Sequence, residues 1–188
     1  MTKKQISFWP LFIEFASVVF AVLLALGLNS YKQNQDLKEE SRILSKKILA
    51  ECRRNLLELD TVNTQNEAYL IYLDSLLAQG NEVSGFSIDY NGELLTSSAW
   101  KYTQNSKAFN YIDSTLLNDA TIVYELQDYY MKVSGEMFQN IGEMVLNSDN
   151  IKSSTLIKTS HYFTRNAHEA GKQLAEAYKE ILEDHRDK

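Results

Sequence analysis

Apolar residues along this chain first form one solid block and then thin into a stripe. From Phe8 to Leu28 the sequence FWPLFIEFASVVFAVLLALGL is almost wholly apolar. A helix of about 20 residues, rising about 1.5 Å per residue, covers the roughly 30 Å of a bilayer's hydrocarbon core. From about Gln35 to Ala78, Leu37, Leu44, Ile48, Cys52, Leu56, Leu59, Val62, Tyr69, Leu73 and Leu76 recur at spacings near three and four, the pattern of an amphipathic helix. No proline or glycine separates this segment from the span, so the two are expected to form one nearly continuous rod. Asn55, Asn63 and Asn66 fall close to the same face, which predicts a bundle with some polar packing rather than a clean coiled-coil seam.

Gly80 suits the left-handed position after a helix end. The loop that follows, GNEVSGFSIDYNG, alternates Phe86, Ile88 and Tyr90 in a way that predicts a short extended piece. A short helix is expected over Glu93 to Gln104, with Leu94, Leu95, Ala99 and Trp100 inward. A connection then ends at Asp113, well placed as an N-cap. A third helix is predicted from Ser114 to Leu146, burying Leu117, Ala120, Tyr124, Tyr130, Met137, Ile141 and Met144. The polar run Asn147 to Asn150 breaks it. A last helix, Lys152 to Glu183, carries Leu156, Phe163, Ala167, Ala170, Leu174, Ala177, Tyr178 and Ile181 on one side. The fold class is therefore all-α: one N-terminal transmembrane helix continuing into an antiparallel bundle of about four helices. Residues 1–7 are read as a short cytoplasmic N-terminus, 8–30 as the span and 31–188 as the bundle domain. One proline and seven glycines in 188 residues agree with so much helix.

Within the span, Pro10 suits a first helical turn, and Trp9 and Tyr31 stand near the two ends, where amphipathic rings favour the headgroups. A cleaved signal peptide is the alternative, but its apolar centre is usually about 7 to 15 residues, and this run also contains Glu14. Glu14 has two readings. It contacts another membrane helix, or it lies within about two turns of the helix start, where it reaches headgroups or stays protonated.

Charge and motif content narrow the chemistry. A net charge of −6 leaves no electrostatic footprint for nucleic acid. Cys52, the lone cysteine, is read as a small core residue. Lys32, Lys38, Arg42, Lys46, Lys47, Arg53 and Arg54 alternate with Asp36, Glu39, Glu40, Glu51 and Glu58, which reads as a solvated helix face with intrahelical pairs rather than an anionic-lipid cluster. His161 and His168 are seven apart, whereas helical zinc sites pair histidines three or four apart. The glycines match no phosphate loop and no Gly-x-Ser-x-Gly occurs. The expectation is a non-catalytic protein without metal or cofactor.

Two stretches resemble a large group of short bacterial single-pass membrane proteins of uncharacterised function: EFASVVFAVLLALGLNSY (Glu14 to Tyr31) with the later ECRRNLLELD, and SSAWKYTQNSKAFNYIDSTLLNDATIVYELQDYY (Ser97 to Tyr130). Together they cover about half the chain. The usual glycine of the family's turn is replaced here near Ser106 to Ala108. The resemblance implies an inner-membrane protein with a helical domain outside the cytoplasm and no catalytic residues, and it alone sets Glu14, Asn29 and Trp100 together. Lys3 and Lys4 favour a cytoplasmic N-terminus, while the basic residues after Tyr31 favour the opposite topology.

The leading functional expectation is a membrane-anchored interaction or structural protein, an accessory subunit that binds a protein partner or self-associates in the lipid bilayer. Glu14 and Asn29 are its candidate membrane-helix contacts. The alternative is an extracytoplasmic sensor or small-ligand-binding domain working through a partner. Trp100, Tyr124 and Tyr130 are the candidate contacts for a partner or ligand.

Overall fold

The structure, a computed structural model, describes residues 9–79, 92, 94–146 and 152–186. The expected turn at Gly80, the extended piece around Phe86 to Tyr90 and the break at Asn147 to Asn150 lie outside the described residues. Among the described residues there are four α-helices and no strand: α1 (Trp9–Gln79), α2 (Ser98–Gln104), α3 (Ser114–Leu146) and α4 (Ser153–Asp184), with a 3₁₀ turn at Lys107–Tyr111.

The rod is continuous. α1 runs 71 residues without interruption, a length of roughly 105 Å at about 1.5 Å per residue. Its first part is long and apolar enough to cross a membrane, and Phe12 to Leu28 are exposed among the described residues. The domain begins one turn after Tyr31. There the Tyr111 hydroxyl donates to Asn34 Oδ1 (2.9 Å) and the Ser106 hydroxyl to Glu40 Oε1 (2.8 Å).

Beyond that point the buried positions of α1 are Ser41, Leu44, Ile48, Glu51, Cys52, Asn55, Leu59, Val62, Asn63, Asn66, Tyr69, Leu73 and Leu76. Apart from the adjacent pairs Glu51–Cys52 and Val62–Asn63, their steps are of three or four residues, the spacing of an amphipathic helix. Asn55, Asn63 and Asn66 are all buried in this stripe, together with Ser41 and Glu51, so the packing is partly polar as expected. α4 lies antiparallel to both other long helices. Asn55 meets Tyr178 and Asp74 meets His161 along α1, while Gln127 meets Tyr178 and Asp119 meets His185 along α3. A main core joins α1, α2, α3 and α4, and two smaller clusters continue it away from the span, one around Leu73 and Ile157 and one around Met137 and Ala167.

Three local outcomes refine the sequence reading. α2 starts at Ser98, five residues later than the hydrophobic pattern places it, and Leu94 faces outward. The connection before α3 is wound into the 3₁₀ turn, whose second amide, Ala108 N, is capped by Ser106 Oγ at 3.0 Å. Asp113 caps α3 as expected, accepting from the amides of Thr115 (3.0 Å) and Leu116 (3.2 Å).

At Gly171 α4 approaches α1 closely, because a Cβ there collides with Asn63 Oδ1. Alanine normally stabilises a helix interior by about 1 kcal/mol over glycine. Here the buried amide of Asn63 has to give way, an overpacking cost of about 1 to 3 kcal/mol. Gly171→Ala is therefore expected to destabilise the protein, and to stabilise it once Asn63→Ala has opened the space. Urea unfolding of the four members of that cycle checks both signs.

Candidate functional site

The chemistry of this molecule is concentrated where α1, α2, α3 and α4 meet, one to two turns either side of Cys52. Glu51 and Asn55 stand one helical turn apart on α1 and are both buried. They do complementary things to the segment entering α2. The Glu51 carboxylate accepts from the Ser98 hydroxyl (2.9 Å), the Ala99 amide (2.9 Å), the Trp100 amide (3.4 Å) and the Tyr124 hydroxyl (2.6 Å). It thereby satisfies amides of the first turn of α2, which have no partner within the helix. Burial opposes the negative charge, yet these four donors outweigh it and hold the carboxyl below its ordinary pKa. The group is an ionised anchor.

Asn55 grips Thr96 by its backbone. Its Nδ2 donates to Thr96 O (2.8 Å), and its Oδ1 accepts from Thr96 N (3.2 Å) and from the Thr96 hydroxyl (3.2 Å). Arg54 adds a bond from its guanidinium to that hydroxyl at 2.6 Å. The opposite side is closed by Gln127 of α3 and Tyr178 of α4: the Tyr178 hydroxyl donates to Gln127 Oε1 (2.7 Å) and accepts from Asn55 Nδ2 (3.1 Å), while Gln127 Nε2 reaches Thr96 O (3.3 Å). This gripping of Thr96 delays α2 to Ser98, since a residue bonded to a side chain through both backbone groups cannot also join the helical ladder.

The Trp100 ring and the Cys52 thiol complete the junction. Trp100 stacks face to face on Tyr124, with ring centroids 5.3 Å apart and planes 1° from parallel. Burial pushes the Cys52 thiol up to about 12, so it stays protonated as a core group. Burial, with the neighbouring Cys52 and Glu51, raises the Tyr124 phenol above its ordinary range, and burial does the same to Tyr178. These phenols therefore act as hydrogen-bond donors. The carboxylate is saturated with donors on both oxygens, which suits holding α2 in place.

Trp100, Tyr124 and Tyr130, read from the sequence as contacts for a partner or ligand, are all buried. Trp100 and Tyr124 belong to the junction and Tyr130 to the main core. Trp100 is 7% exposed, Tyr124 4% and Tyr130 0%, so the folded domain leaves little of these rings at its surface. Glu14 and Asn29 stand exposed on the apolar part of α1, away from the domain. Glu51, which the sequence reading left among solvated charges, accepts four hydrogen bonds in the junction. Its signal was positional, since it sits three residues after Ile48 and four before Asn55, on the edge of the buried stripe. Of the expected intrahelical pairs, Arg42 and Glu39 meet at 2.8 Å.

The histidines are each placed differently. His161 contacts Asp74 at 2.9 Å, His185 is buried against Asp119 at 2.9 Å just beyond the end of α4, and His168 is buried. Among the described residues no three His, Cys, Asp or Glu side chains gather in a metal-binding group. Two surface grooves flank the bundle. One, of about 430 Å³, lies between α3 and α4 beside Tyr129, Val133, Tyr162 and Phe163. The other, of about 390 Å³, opens beside Lys47, Arg54 and Tyr102. In comparisons with known proteins the chain matches no family profile, no curated protein and no solved structure.

Proposed function

We propose that this chain is a membrane-anchored, non-catalytic accessory subunit that positions a helical domain at a fixed distance from the bilayer for a protein partner. The observation that supports this reading is the single helix α1, which is apolar and bare over its first part and becomes the spine of the domain core without a break. A continuous helix transmits position and rotation, whereas a flexible linker does not. The junction at Glu51 and Asn55 then fixes the rest of the domain to that spine. The resemblance to bacterial single-pass proteins supports an inner-membrane location with the domain in the periplasm. Glu14 and Asn29, exposed on the apolar part of α1, are the proposed contacts within the membrane.

A second reading, a ligand-binding domain that works through a partner, is favoured by the aromatic groove between α3 and α4. One experiment separates the two. The full-length protein is extracted from its native membrane in mild detergent, and the complex is identified by mass spectrometry and native mass. A stoichiometric partner is the expected result. A lone protomer or a complex of identical chains counts against the accessory role and directs attention to the groove.

A further inference from the structure

The chain between α1 and α3 descends along α1 toward the apolar end. Thr96 is bonded to Asn55, Ser98 to Glu51, Ser106 to Glu40 and Tyr111 to Asn34, so each contact lies closer to the span than the one before. Past Ile112 the chain reverses, and α3 climbs beside α1, with Tyr124 at Glu51 and Gln127 at Asn55. α4 comes down antiparallel with Tyr178 at Asn55, but its last residue, Asp184, reaches only the level of Leu49. Among the described residues the 3₁₀ turn Lys107–Tyr111 is therefore the foot of the domain. Lys107, Asn110 and Tyr111 are exposed on it.

Because α1 is one unbroken helix, the span itself sets the height of that foot. Asn34 stands six residues beyond Leu28, the end of the apolar run, a rise of about 9 Å. Helical side chains lean toward the amino end, so the Asn34 amide that accepts from Tyr111 at 2.9 Å leans toward the bilayer. A headgroup layer extends about 5 to 8 Å beyond the hydrocarbon. The Tyr111 hydroxyl thus stands at the outer edge of that layer. Tyr31, three residues before Asn34 and adjacent to it on the helix surface, is 66% exposed one turn deeper, within the layer. Tyrosine favours this depth because its ring is apolar and its hydroxyl is polar. Charge decides little here, since Lys32, Lys38 and Lys107 are matched by Asp36, Glu39 and Asp113, all exposed.

We infer that the 3₁₀ turn is a membrane-surface contact, in which Tyr111, beside Tyr31 of α1, rests in the phospholipid headgroups of the bilayer that α1 spans. The contact presupposes the membrane anchor proposed above and gives the domain a second point of support. Its effect is on orientation. Membrane helices tilt by about 20° on average. With the turn packed about 8 to 10 Å from the axis of α1, a tilt of that size toward it lowers the foot by roughly 3 Å. α1 therefore leans toward the turn, which selects one direction of tilt for the surface the domain presents to a partner. Tyrosine rather than lysine carries the contact, so the phospholipid need not be anionic.

The test places the full chain in phosphatidylcholine vesicles doped with phosphatidylcholine that carries a nitroxide on its headgroup. A nitrobenzoxadiazole label, which the nitroxide quenches at close range, is attached to a cysteine introduced at Asn110, Gln35 or Phe138, all exposed. Gln35 lies about 200° around α1 from Leu37, which packs on the core, and so faces away from the turn. Phe138 is on α3 opposite Asn66, about 48 Å farther out than Asn34. Cys52 is buried and stays unlabelled, which the unsubstituted chain verifies. The expected quenching at position 110 is about fivefold that at 138. Tyr111→Ser should lower it about twofold without lowering it at position 35, and Tyr111→Trp should preserve it. Circular dichroism confirms that both variants retain their helix. If position 110 is quenched no more than 138 while the chain resists carbonate extraction, the contact is overturned and the anchor stands. A chain that carbonate releases overturns both. Quenching at 110 that Tyr111→Ser leaves unchanged, or that requires added phosphatidylglycerol, also overturns the tyrosine contact.

Discussion

Replacing Glu51 with alanine is expected to lower the unfolding free energy by about 3 kcal/mol, because it strips a buried acceptor from several donors at once. The amides of Ala99 and Trp100 and the hydroxyls of Ser98 and Tyr124 all lose the same partner. Glu51→Gln should recover only part of this loss. Its amide nitrogen turns a donor toward one of those donors. The first structural consequence is release of α2, so Trp100 should leave its stack on Tyr124. In a Trp9→Phe background its emission should shift to the red at denaturant concentrations that leave the long helices intact.

The same carboxylate sets a pH dependence whose sign follows from its lowered pKa. A carboxyl that ionises more readily folded than unfolded contributes its full stabilisation above the unfolded pKa, about 4.5 for a glutamate. That contribution declines as the pH falls through the ordinary carboxylate range and is gone below the lowered folded value. Wild-type stability should therefore drop on acidification from pH 6 toward pH 3 by more than that of Glu51→Gln, which has no charge to lose there. Urea unfolding of the detergent-solubilised chain at several pH values measures the difference, and parallel curves would remove the carboxylate from this role.

Asn55→Leu is expected to cost a similar amount, about 3 kcal/mol, even though leucine matches the volume and belongs in a core. It leaves Thr96 N and O without their grip and takes a donor from Tyr178 and Gln127. Asn55→Asp separates the two halves of the grip, since an aspartate still accepts from Thr96 N but cannot donate to Thr96 O. A second carboxylate one turn from Glu51 also adds like-charge repulsion. Hydrogen exchange at Thr96 and at the first amides of α2 should accelerate in both variants, with the α3 and α4 amides less affected.

The long elements were legible from the chain because periodicity is a property of one segment at a time. The three- and four-residue steps of α1, the stripe from Ala120 to Ile141 and the one from Ala167 to Ile181 each identify a helix and its buried face without knowledge of a neighbour. Asp113 was legible for the same reason, as a cap acts within one turn. What failed was anything decided by two segments together. The start of α2 depends on Glu51 and Asn55, more than 40 residues earlier in the chain. Trp100, Tyr124 and Tyr130 read equally well as a contact face or as core until the helix that covers them is in place.

By itself, then, the sequence determined an all-helical chain with one apolar span leading into an amphipathic spine, because hydrophobic spacing and the scarcity of proline and glycine act locally. Only the tertiary structure decided what the buried polar groups do. A carboxylate at the edge of a helical stripe is a solvated charge or an anchor depending on whether another segment brings donors to it. For Glu51, the segment Ser98 to Trp100 and the hydroxyl of Tyr124 do so.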